Sequence, residues 1–227
     1  MRRCVALLAK KPEAGKVKTR LESACTPSEA ACLYRAFLLD TATVISAVQA
    51  EEKVIAYTPM GAEEFLRDIL CEVGSFTYLA QCDGTLGERM HNSIEGALGR
   101  GAERVVLLGS DSPDVPVEYV NRAFEMLVKH PLVLGPSTDG GYYLIGLRRD
   151  ARCPMSDIAW STGDVLEQTL AAIGDQSLGL LPVWYDVDTP QEAAFLRVHL
   201  RAQRLAGTAV GRYSLPMLDQ MILPSPS

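Results

Sequence analysis

Short apolar runs alternate with amphipathic stretches along much of the chain. Continuous apolar runs of five to nine residues are typical of strands that are buried on both faces of a sheet. They predict strands at 4–9, 53–59, 76–80, 104–109, 132–137, 142–147 and 180–188. Helical spacing or helix-start signals predict helices from residue 26 to residue 48 and at 86–99, 116–129, 161–173 and 190–205.

Two of these helices have clear start signals. Thr26-Pro27-Ser28-Glu29 and Thr189-Pro190-Gln191-Glu192 each place Thr at the N-cap, Pro at the first helical position and Glu at the third. This arrangement is a capping box, in which the Thr and Glu side chains satisfy backbone N–H groups that lack helical partners. Both segments therefore indicate helix starts independently of the apolar pattern.

The order of the elements predicts an α/β fold. Alternating strands and helices favour a parallel sheet covered by helices on both faces. Strands 132–137 and 142–147 are joined by a short Asp-Gly-Gly turn, which breaks the alternation and predicts a mixed, mostly parallel sheet. We expect one domain over 1–205 and a C-terminal tail over 206–227. The tail is apolar enough to pack on the domain or on another subunit, as in a homodimer, or else it is partly frayed.

Composition excludes several classes of protein. The 227 residues carry a formal net charge of −6, which disfavours a protein that coats nucleic acid. Six cysteines without a C-x-x-C pair and three distant histidines give no zinc pattern. The apolar runs are shorter than a membrane span needs, and no signal peptide is evident, so we expect a cytoplasmic protein with reduced thiols.

Acidic residues follow two of the predicted strands. The segment GSDSPDVP (109–116) places Asp111 and Asp114 after the most apolar strand, and Asp186 and Asp188 lie at the end of the last one. Ligands of open α/β sheets bind beyond the carboxyl ends of the strands, so these acids are expected to lie near one another. Mg²⁺ is held by a few carboxylates together with water and substrate phosphates. Asp111 is the candidate metal ligand, and either Asp186 or Asp188 is the candidate second ligand. Asp114 is better explained as a residue that shapes the turn into the next helix.

A basic loop follows the first strand. It carries Lys10, Lys11, Lys16, Lys18 and Arg20, together with Gly15 and Thr19. Clustered cations repel one another unless anions neutralise them, which favours phosphate binding over a merely solvated loop. The sequence is neither a Walker P-loop nor a Rossmann glycine motif.

Two further segments have competing interpretations. Asp139-Gly140-Gly141 is explained either by a tight hairpin or by close approach of a substrate to the backbone. Asp83-Gly84-Thr85-Leu86 is similar to a phosphatase motif, but Gln81 stands where that motif needs its nucleophilic aspartate. A phosphatase is therefore the weakest alternative.

Six segments in order resemble one known family. They are KTRL (18–21), LGERM (86–90), GSDSPD (109–114), DGGYYL (139–144), WST (160–162) and DVDTP (186–190). Together they resemble the bacterial glycosyltransferase-like family that is named for its association with radical-SAM and selenium-linked genes. This family belongs to the GT-A nucleotide-diphospho-sugar transferase superfamily. The resemblance spans about residues 4–200, and the chain is similar, more distantly, to phospholactate guanylyltransferase and molybdenum-cofactor guanylyltransferase.

The resemblance implies a fold and a set of roles. The fold would be a GT-A-like three-layer α/β/α sandwich. A nucleotide would lie over the first strands, with loop 10–20 at its phosphates. Asp111 and Asp188 would hold Mg²⁺ or Mn²⁺, and Asp139, Gly140 and Gly141 would face a small acceptor. The family's more distant relatives carry a glycine-rich nucleotide loop, whereas Gly15 is the sole glycine of this loop.

These observations predict a metal-dependent transferase that moves a nucleotidyl or a glycosyl group to a small acceptor. Asp111 and Lys18 are the expected catalytic residues, and Lys10, Lys16, Lys18, Thr19 and Arg20 are expected to bind the nucleotide phosphates. Nucleotidyl transfer to a phosphate needs no general base. Glycosyl transfer needs one, for which Asp139 is the candidate. A non-catalytic nucleotide sensor on the same fold remains the alternative from another class.

Overall fold

A computed structural model describes residues 2–225 and has a seven-stranded sheet at its centre. The strands are β1 (Arg3–Lys10), β2 (Glu52–Thr58), β3 (Thr77–Ala80), β4 (Arg104–Leu108), β5 (Leu132–Pro136), β6 (Tyr142–Arg148) and β7 (Leu178–Leu180). The helices are α1 (Pro27–Ala47), α2 (Glu63–Leu70), α3 (Leu86–Gly99), α4 (Val117–Met126), α5 (Val165–Ile173), α6 (Pro190–Leu205) and α7 (Ser214–Gln220), with a 3-10 helix at Thr19–Ser23.

The sheet has the strand order β3-β2-β1-β4-β6-β5-β7. Strand β6 runs antiparallel to both neighbours, β4 and β5, whereas the other neighbouring pairs are parallel. The short turn at 137–141 leaves no room for a crossover helix, so β5 and β6 form a hairpin. The prediction of a mixed, mostly parallel sheet is confirmed.

The core fills both faces of the sheet. Along β1, Leu7 packs into a cluster with residues of α1, α2 and α4, and Ala6 faces a second cluster on the side of α3 and α5. Successive residues of a strand point to opposite faces, so a strand covered on both sides must be apolar throughout. The three-layer α/β/α sandwich implied by the resemblance is confirmed.

The helix starts follow their capping sequences. Thr26 with Glu29 and Thr189 with Glu192 form complete capping boxes at α1 and α6. A third box, Thr85 with Glu88, begins α3. It accounts for the phosphatase-like Asp83-Gly84-Thr85-Leu86 segment as a helix start, in which Thr85 caps the backbone.

The predicted last strand is shorter than expected. The prediction of a strand over 180–188 is wrong in extent, because β7 ends at Leu180. Pro182 lacks the N–H that a continued ladder needs. The chain nevertheless stays beside β5, since Leu181 N donates to Leu134 O (2.9 Å) and Trp184 N donates to Pro136 O (3.0 Å). The acids that follow therefore still reach the same edge of the sheet.

The C-terminal segment includes the unpredicted helix α7. Its Leu215 and Leu218 are buried in a third apolar cluster with residues of α1 and α6, whereas Ile222 is 92% exposed. Residues 226 and 227 of the tail lie outside the described residues. Helix α2 was not predicted either.

Helix α1 is long and apolar enough to cross a membrane by length and composition alone. Of its most apolar 18-residue window, 67% is buried inside the domain. The core helix of a soluble protein passes the same test, so this is weak evidence for a span.

Candidate functional site

A cavity of about 610 Å³ opens where β1 and β4 end and β6 begins. Most of the residues singled out from the sequence line it: Lys10, Lys16, Lys18, Arg20, Asp111, Asp139, Gly141 and Asp188. Thr19 and Gly140 do not line it, although they adjoin residues that do. The position agrees with the general rule that ligands of open α/β sheets bind at the strand ends.

Lys18 lies at the centre of the polar groups in this cavity. Its side chain is 3% exposed, and its Nζ donates to Val187 O (2.6 Å) and to Asp188 Oδ1 (2.8 Å). The same Nζ forms a very close ion pair with Asp111 Oδ1. An ammonium has three N–H donors, so these three acceptors use all of them. The lysine therefore joins the β4 strand end to the segment before α6.

The charge of Lys18 is maintained by its two acidic partners. Burial by itself would lower the pKa of the ammonium, but the carboxylates of Asp111 and Asp188 outweigh this and raise the pKa. The lysine also has a left-handed backbone, with φ 49° and ψ 38°, which is uncommon for a residue with a side chain. Strain of this kind is retained where surrounding contacts fix the conformation.

Backbone contacts bring the two acids together. Val187 N donates to Asp111 O (2.9 Å), which holds the 186–188 segment against the end of β4. The side chains of Asp111 and Asp188 remain 46% and 36% exposed, so part of each carboxylate faces the cavity. Arg20, which is 69% exposed, places Nη1 3.6 Å from Asp188 Oδ2.

The basic loop presents further cations at this rim. Lys10 Nζ donates to Lys16 O (2.6 Å), which folds the loop back on itself. Lys16 and Arg20 are exposed and line the cavity. Tyr34, buried in α1, ties the loop to the acidic turn because its hydroxyl accepts from Lys10 N (3.0 Å) and contacts Ser110 Oγ (2.9 Å). Burial raises the pKa of Tyr34 to about 12, so the phenol stays protonated.

The two acids of GSDSPDVP have different environments. Asp114 is 2% exposed, and it accepts from Trp184 Nε1 (3.2 Å) and from Tyr185 OH (2.5 Å). His199 Nδ1 lies 3.0 Å from the same carboxylate. Asp114 thus anchors the turn to the segment before α6 and to α6 itself, while Asp111 faces the cavity.

The Asp-Gly-Gly turn also borders the cavity, which Asp139 and Gly141 line. Asp139 Oδ1 accepts from Gly141 N (2.8 Å), a local bond that closes the turn. Gly140 has φ +88°, and a Cβ there would lie 2.1 Å from Gly163 O. Gly140 is therefore needed for turn geometry and for close packing against the 161–165 segment, while Asp139 and Gly141 line the cavity.

Asp186 is a further acid in the cavity. It accepts from Ser137 Oγ (3.2 Å). Burial, followed by the charges of Asp139 and Asp188, raises the pKa of Asp186 to about 6. These three acids and Asp111 line the same cavity as the cations of the basic loop.

Arg89 and Trp160 also line the cavity but were not predicted as site residues. They lie in the LGERM and WST segments, which contribute to the family resemblance but were assigned no role in the site. Trp160 packs edge-to-face on Tyr142, with ring centroids 6.3 Å apart, and a Cβ on Gly87 would lie 2.4 Å from Trp160 Nε1. A charged residue within a helix carries no sequence signal that distinguishes a cavity-facing position from a solvated one.

The donor set fits a divalent cation that has few protein ligands. In residues 2–225, no group of three or more His, Cys, Asp and Glu side chains is arranged to hold a metal. Asp111 and Asp188 each direct one oxygen to Lys18 and are partly exposed at the cavity. Mg²⁺ takes one or two carboxylates and completes its shell with water and substrate phosphates, which matches this pair.

The chain is similar to proteins of known structure and to one described family. Residues 41–162 match DUF2064, described as uncharacterized proteins conserved in bacteria. A Desulfovibrio desulfuricans G20 protein, provisionally described as a nucleotide-diphospho-sugar transferase, is 35% identical over 97% of this chain and 95% of its own, with a TM-score of 0.85. No match was found among curated proteins.

More distant structures share the fold. CMP:2-keto-3-deoxy-manno-octonic acid synthetase, solved with CTP, is 14% identical over 90% of this chain and all of its own, with a TM-score of 0.58. The 4-diphosphocytidyl-2C-methyl-D-erythritol synthase from Anaerococcus prevotii DSM 20548 is 13% identical over 88% of this chain and 96% of its own, with a TM-score of 0.59. Because the DUF2064 match covers more than half of the chain, the chain belongs to that family. Its fold is that of the nucleotide-diphospho-sugar transferases.

Proposed function

We propose that the protein is a divalent-metal-dependent transferase that uses a nucleoside triphosphate and transfers its nucleotidyl group to a small acceptor. The observation that carries this proposal is the group formed by Lys18, Asp111 and Asp188, which lies beside the exposed cations of the basic loop. The 35% identical relative, by its provisional description, supports a transferase of the same superfamily.

The charge at the rim favours a triphosphate. Lys10, Lys16 and Arg20 all line the cavity. A triphosphate carries more negative charge than the diphosphate of a nucleotide-sugar, so it gains more from several cations that lie close together. In this arrangement the basic loop would hold the phosphates, and the acceptor would enter from the side of Asp139 and Trp160.

The chemistry is a displacement at phosphorus. An acceptor oxygen forms a bond to the α-phosphorus while the bond from that phosphorus to the pyrophosphate oxygen breaks, so pyrophosphate leaves. A Mg²⁺ or Mn²⁺ ion held by Asp111 and Asp188 would supply neutralisation of the charge on the phosphate oxygens. Arg20 and Lys16 would hold the leaving phosphates. An acceptor that is itself a phosphate would need no general base.

Glycosyl transfer is the second candidate. It is favoured by Asp139, an exposed carboxylate that lines the acceptor end of the cavity and could act as general base on a hydroxyl acceptor. This reaction would use a nucleotide-sugar and release a nucleoside diphosphate rather than pyrophosphate.

The products separate the candidates. The protein is incubated with Mg²⁺ or Mn²⁺ and a panel of small phosphorylated and hydroxylated acceptors, in turn with each nucleoside triphosphate and with UDP- and GDP-sugars. Pyrophosphate release that Asp111→Asn abolishes is the expected result. Nucleoside diphosphate release from a sugar nucleotide would instead support glycosyl transfer. Metal-dependent binding without turnover over the whole panel would support a sensor, and inorganic phosphate release that requires Asp83 would support a phosphatase.

A further inference from the structure

Arg89 lines the cavity, and its side chain has no hydrogen-bond or ion-pair partner among residues 2–225. It lies on α3, whose Leu86, Arg89 and Met90 form one helical face that lines the cavity. Its Nε is buried and has no hydrogen-bond partner, and no ion pair involves its guanidinium within residues 2–225. Arg89 is half-buried, so its terminal nitrogens are not shielded from solvent, while its Nε has lost water and gained no acceptor.

This placement costs stability. A buried N–H left without an acceptor is unfavourable, because it has lost its bond to water and gained none in return. Arg100 and Arg197 also have a buried nitrogen without a partner, but their other nitrogens are bonded, to Glu52 and to the carbonyls of Leu218 and Met221 respectively. Arg89 combines the unpaired nitrogen with a position on the cavity wall, which indicates a ligand rather than a structural contact.

The wall that carries Arg89 is different from the one that carries the basic loop. The first turn of α3 is packed against Trp160 through Gly87, and Trp160 in turn packs on Tyr142. These aromatic residues adjoin the Asp-Gly-Gly turn, at the end of the cavity where the acceptor is expected. The cations suited to the nucleotide phosphates lie instead on the loop after β1.

The acids at this end are held by other groups. Asp139 accepts from Gly141 N and Asp186 accepts from Ser137 Oγ, and neither forms an ion pair with Arg89 in the described structure. The negative partner of Arg89 would therefore come from the ligand. A guanidinium presents paired N–H groups whose spacing matches the two oxygens of a carboxylate or phosphate.

We propose that Arg89 determines acceptor specificity by binding an anionic group, a carboxylate or a phosphate, of the acceptor. This inference rests on the proposed transferase function and adds the acceptor's chemical class: a small acid whose body packs near Trp160. Arg89 positions the acceptor and is not assigned a part in the displacement itself.

Binding measurements test this role separately from turnover. Inorganic phosphate is titrated calorimetrically into the free protein and into its complex with Mg²⁺ and whichever of GTP, CTP, ATP or UTP it binds. The variants are Arg89→Gln, Arg89→Lys and Arg20→Gln, with Arg122→Gln as an exposed control on α4. In the nucleotide complex, Arg89→Gln is expected to weaken phosphate binding about tenfold or more. Arg89→Lys should retain part of it.

Nucleotide affinity identifies the source of the anion. The nucleotide affinity of Arg89→Gln is expected to stay within about twofold of wild type. Arg20→Gln should lower the nucleotide affinity, because it removes one charge-assisted hydrogen bond to a phosphate. If Arg89→Gln instead weakens nucleotide binding and leaves phosphate binding intact, the anion belongs to the nucleotide and the acceptor assignment is overturned. Absence of phosphate binding to wild type at millimolar concentrations would also overturn it.

Stability separates a binding role from a structural one. Because no hydrogen bond or ion pair of the Arg89 side chain is present within residues 2–225, Arg89→Gln should change the melting temperature no more than Arg122→Gln does. A loss much larger than that of Arg122→Gln, with phosphate affinity unchanged, would mark Arg89 as structural and reject the proposal. Phosphate binding through Arg89 in a protein that releases no pyrophosphate would uphold the anion site and reject nucleotidyl transfer.

Discussion

At the scale of single residues, Lys18 explains how two acids can lie close together before any ligand binds. Like charges in proximity repel, yet Asp111 and Asp188 share one buried ammonium whose donors are all used. The lysine thus occupies the position of a resident counter-cation. For Lys18 to contact a phosphate directly, one of its three present bonds would have to be released, and Arg20 and Lys16 are the more accessible cations.

Replacing Lys18 tests this counter-cation role. We expect Lys18→Met to lower the melting temperature by several degrees, because the two carboxylates lose their shared partner at a cost of about 1–3 kcal/mol. Millimolar Mg²⁺ or Mn²⁺ should restore part of the loss in Lys18→Met, since a divalent ion would supply the missing charge. Thermal unfolding with and without metal is the measurement. Lys16→Met, on the exposed part of the loop, is the matched control and should behave as wild type.

The two aspartates of GSDSPDVP offer a paired comparison. Asp111→Asn should reduce metal-dependent nucleotide binding about tenfold or more, with a small change in melting temperature, because the amide oxygen still accepts from Lys18. Asp114→Asn should lower the melting temperature and leave nucleotide binding intact. Its amide replaces a buried carboxylate that accepts from Trp184 and Tyr185, so stability falls while nucleotide binding is retained. Calorimetric titration measures the nucleotide binding of both variants, and thermal unfolding measures their stability. If Asp114 were the metal ligand and Asp111 the structural residue, Asp114→Asn would lose binding and Asp111→Asn would lose stability.

Part of this site could be predicted from sequence. The expectation that Asp111 and Asp188 converge followed from two strand ends at one edge of a parallel sheet, and their shared contact with Lys18 is consistent with it. The positions of Tyr34 and Arg89 at the cavity could not be predicted, because they depend on how a helix is placed over the sheet. Apolar periodicity fixes which face of a helix is buried but does not fix its position along the strands.

At the scale of elements, the helix starts that the sequence predicted best are those with local chemistry of their own. The Thr-Pro-x-Glu boxes of α1 and α6 satisfy their backbone groups within four residues, so no tertiary information is needed. Helix α2 begins at Glu63, after an Ala62 that offers no side-chain cap, and it was not predicted. The extent of β7 also depends on tertiary contacts, because β5 holds the segment after Pro182 without forming a regular ladder.

Gly140 links two elements of the acceptor end. Gly140→Ala would place a methyl group 2.1 Å from Gly163 O at a residue with φ +88°, so the hairpin turn and the 161–165 segment must separate. We expect a loss of about 1–3 kcal/mol in the free energy of unfolding. Turnover should fall further than nucleotide affinity, since the acceptor end is displaced and the basic loop is not. Denaturant unfolding measures the stability, nucleotide titration measures the affinity, and the rate of pyrophosphate release measures the turnover.

A helical glycine provides the control for that change. Gly99 is the last residue of α3, and a Cβ added there would meet no atom within 4 Å. Gly99→Ala should therefore be neutral or slightly stabilising. Equal effects of the two substitutions would show that close packing at Gly140 has no special importance for the acceptor end.

At the scale of the whole molecule, the last helix joins the C-terminal segment to the domain. The carboxylate of Asp40, buried in α1, accepts from Ser214 N (2.8 Å) and Tyr213 N (3.1 Å) at the start of α7. Leu215 and Leu218 then complete the apolar cluster between α1 and α6. Helix α6 follows directly from Asp188, so packing of the tail supports the element that begins at the candidate site.

Two apolar positions of this tail separate internal packing from a surface role. Leu218 is fully buried, and Leu218→Ala should cost about 2–5 kcal/mol through lost transfer energy and a cavity between α1, α6 and α7. Ile222 is 92% exposed, and Ile222→Ala should leave the monomer's stability unchanged. Denaturant unfolding is measured together with the mass in solution by light scattering. If Ile222→Ala lowers both the mass in solution and the stability while Leu218→Ala changes neither, the tail forms a contact between subunits. The burial of Leu218 predicts instead that Leu218→Ala lowers the stability and that Ile222→Ala does not. In that case the tail acts as part of its own domain's core.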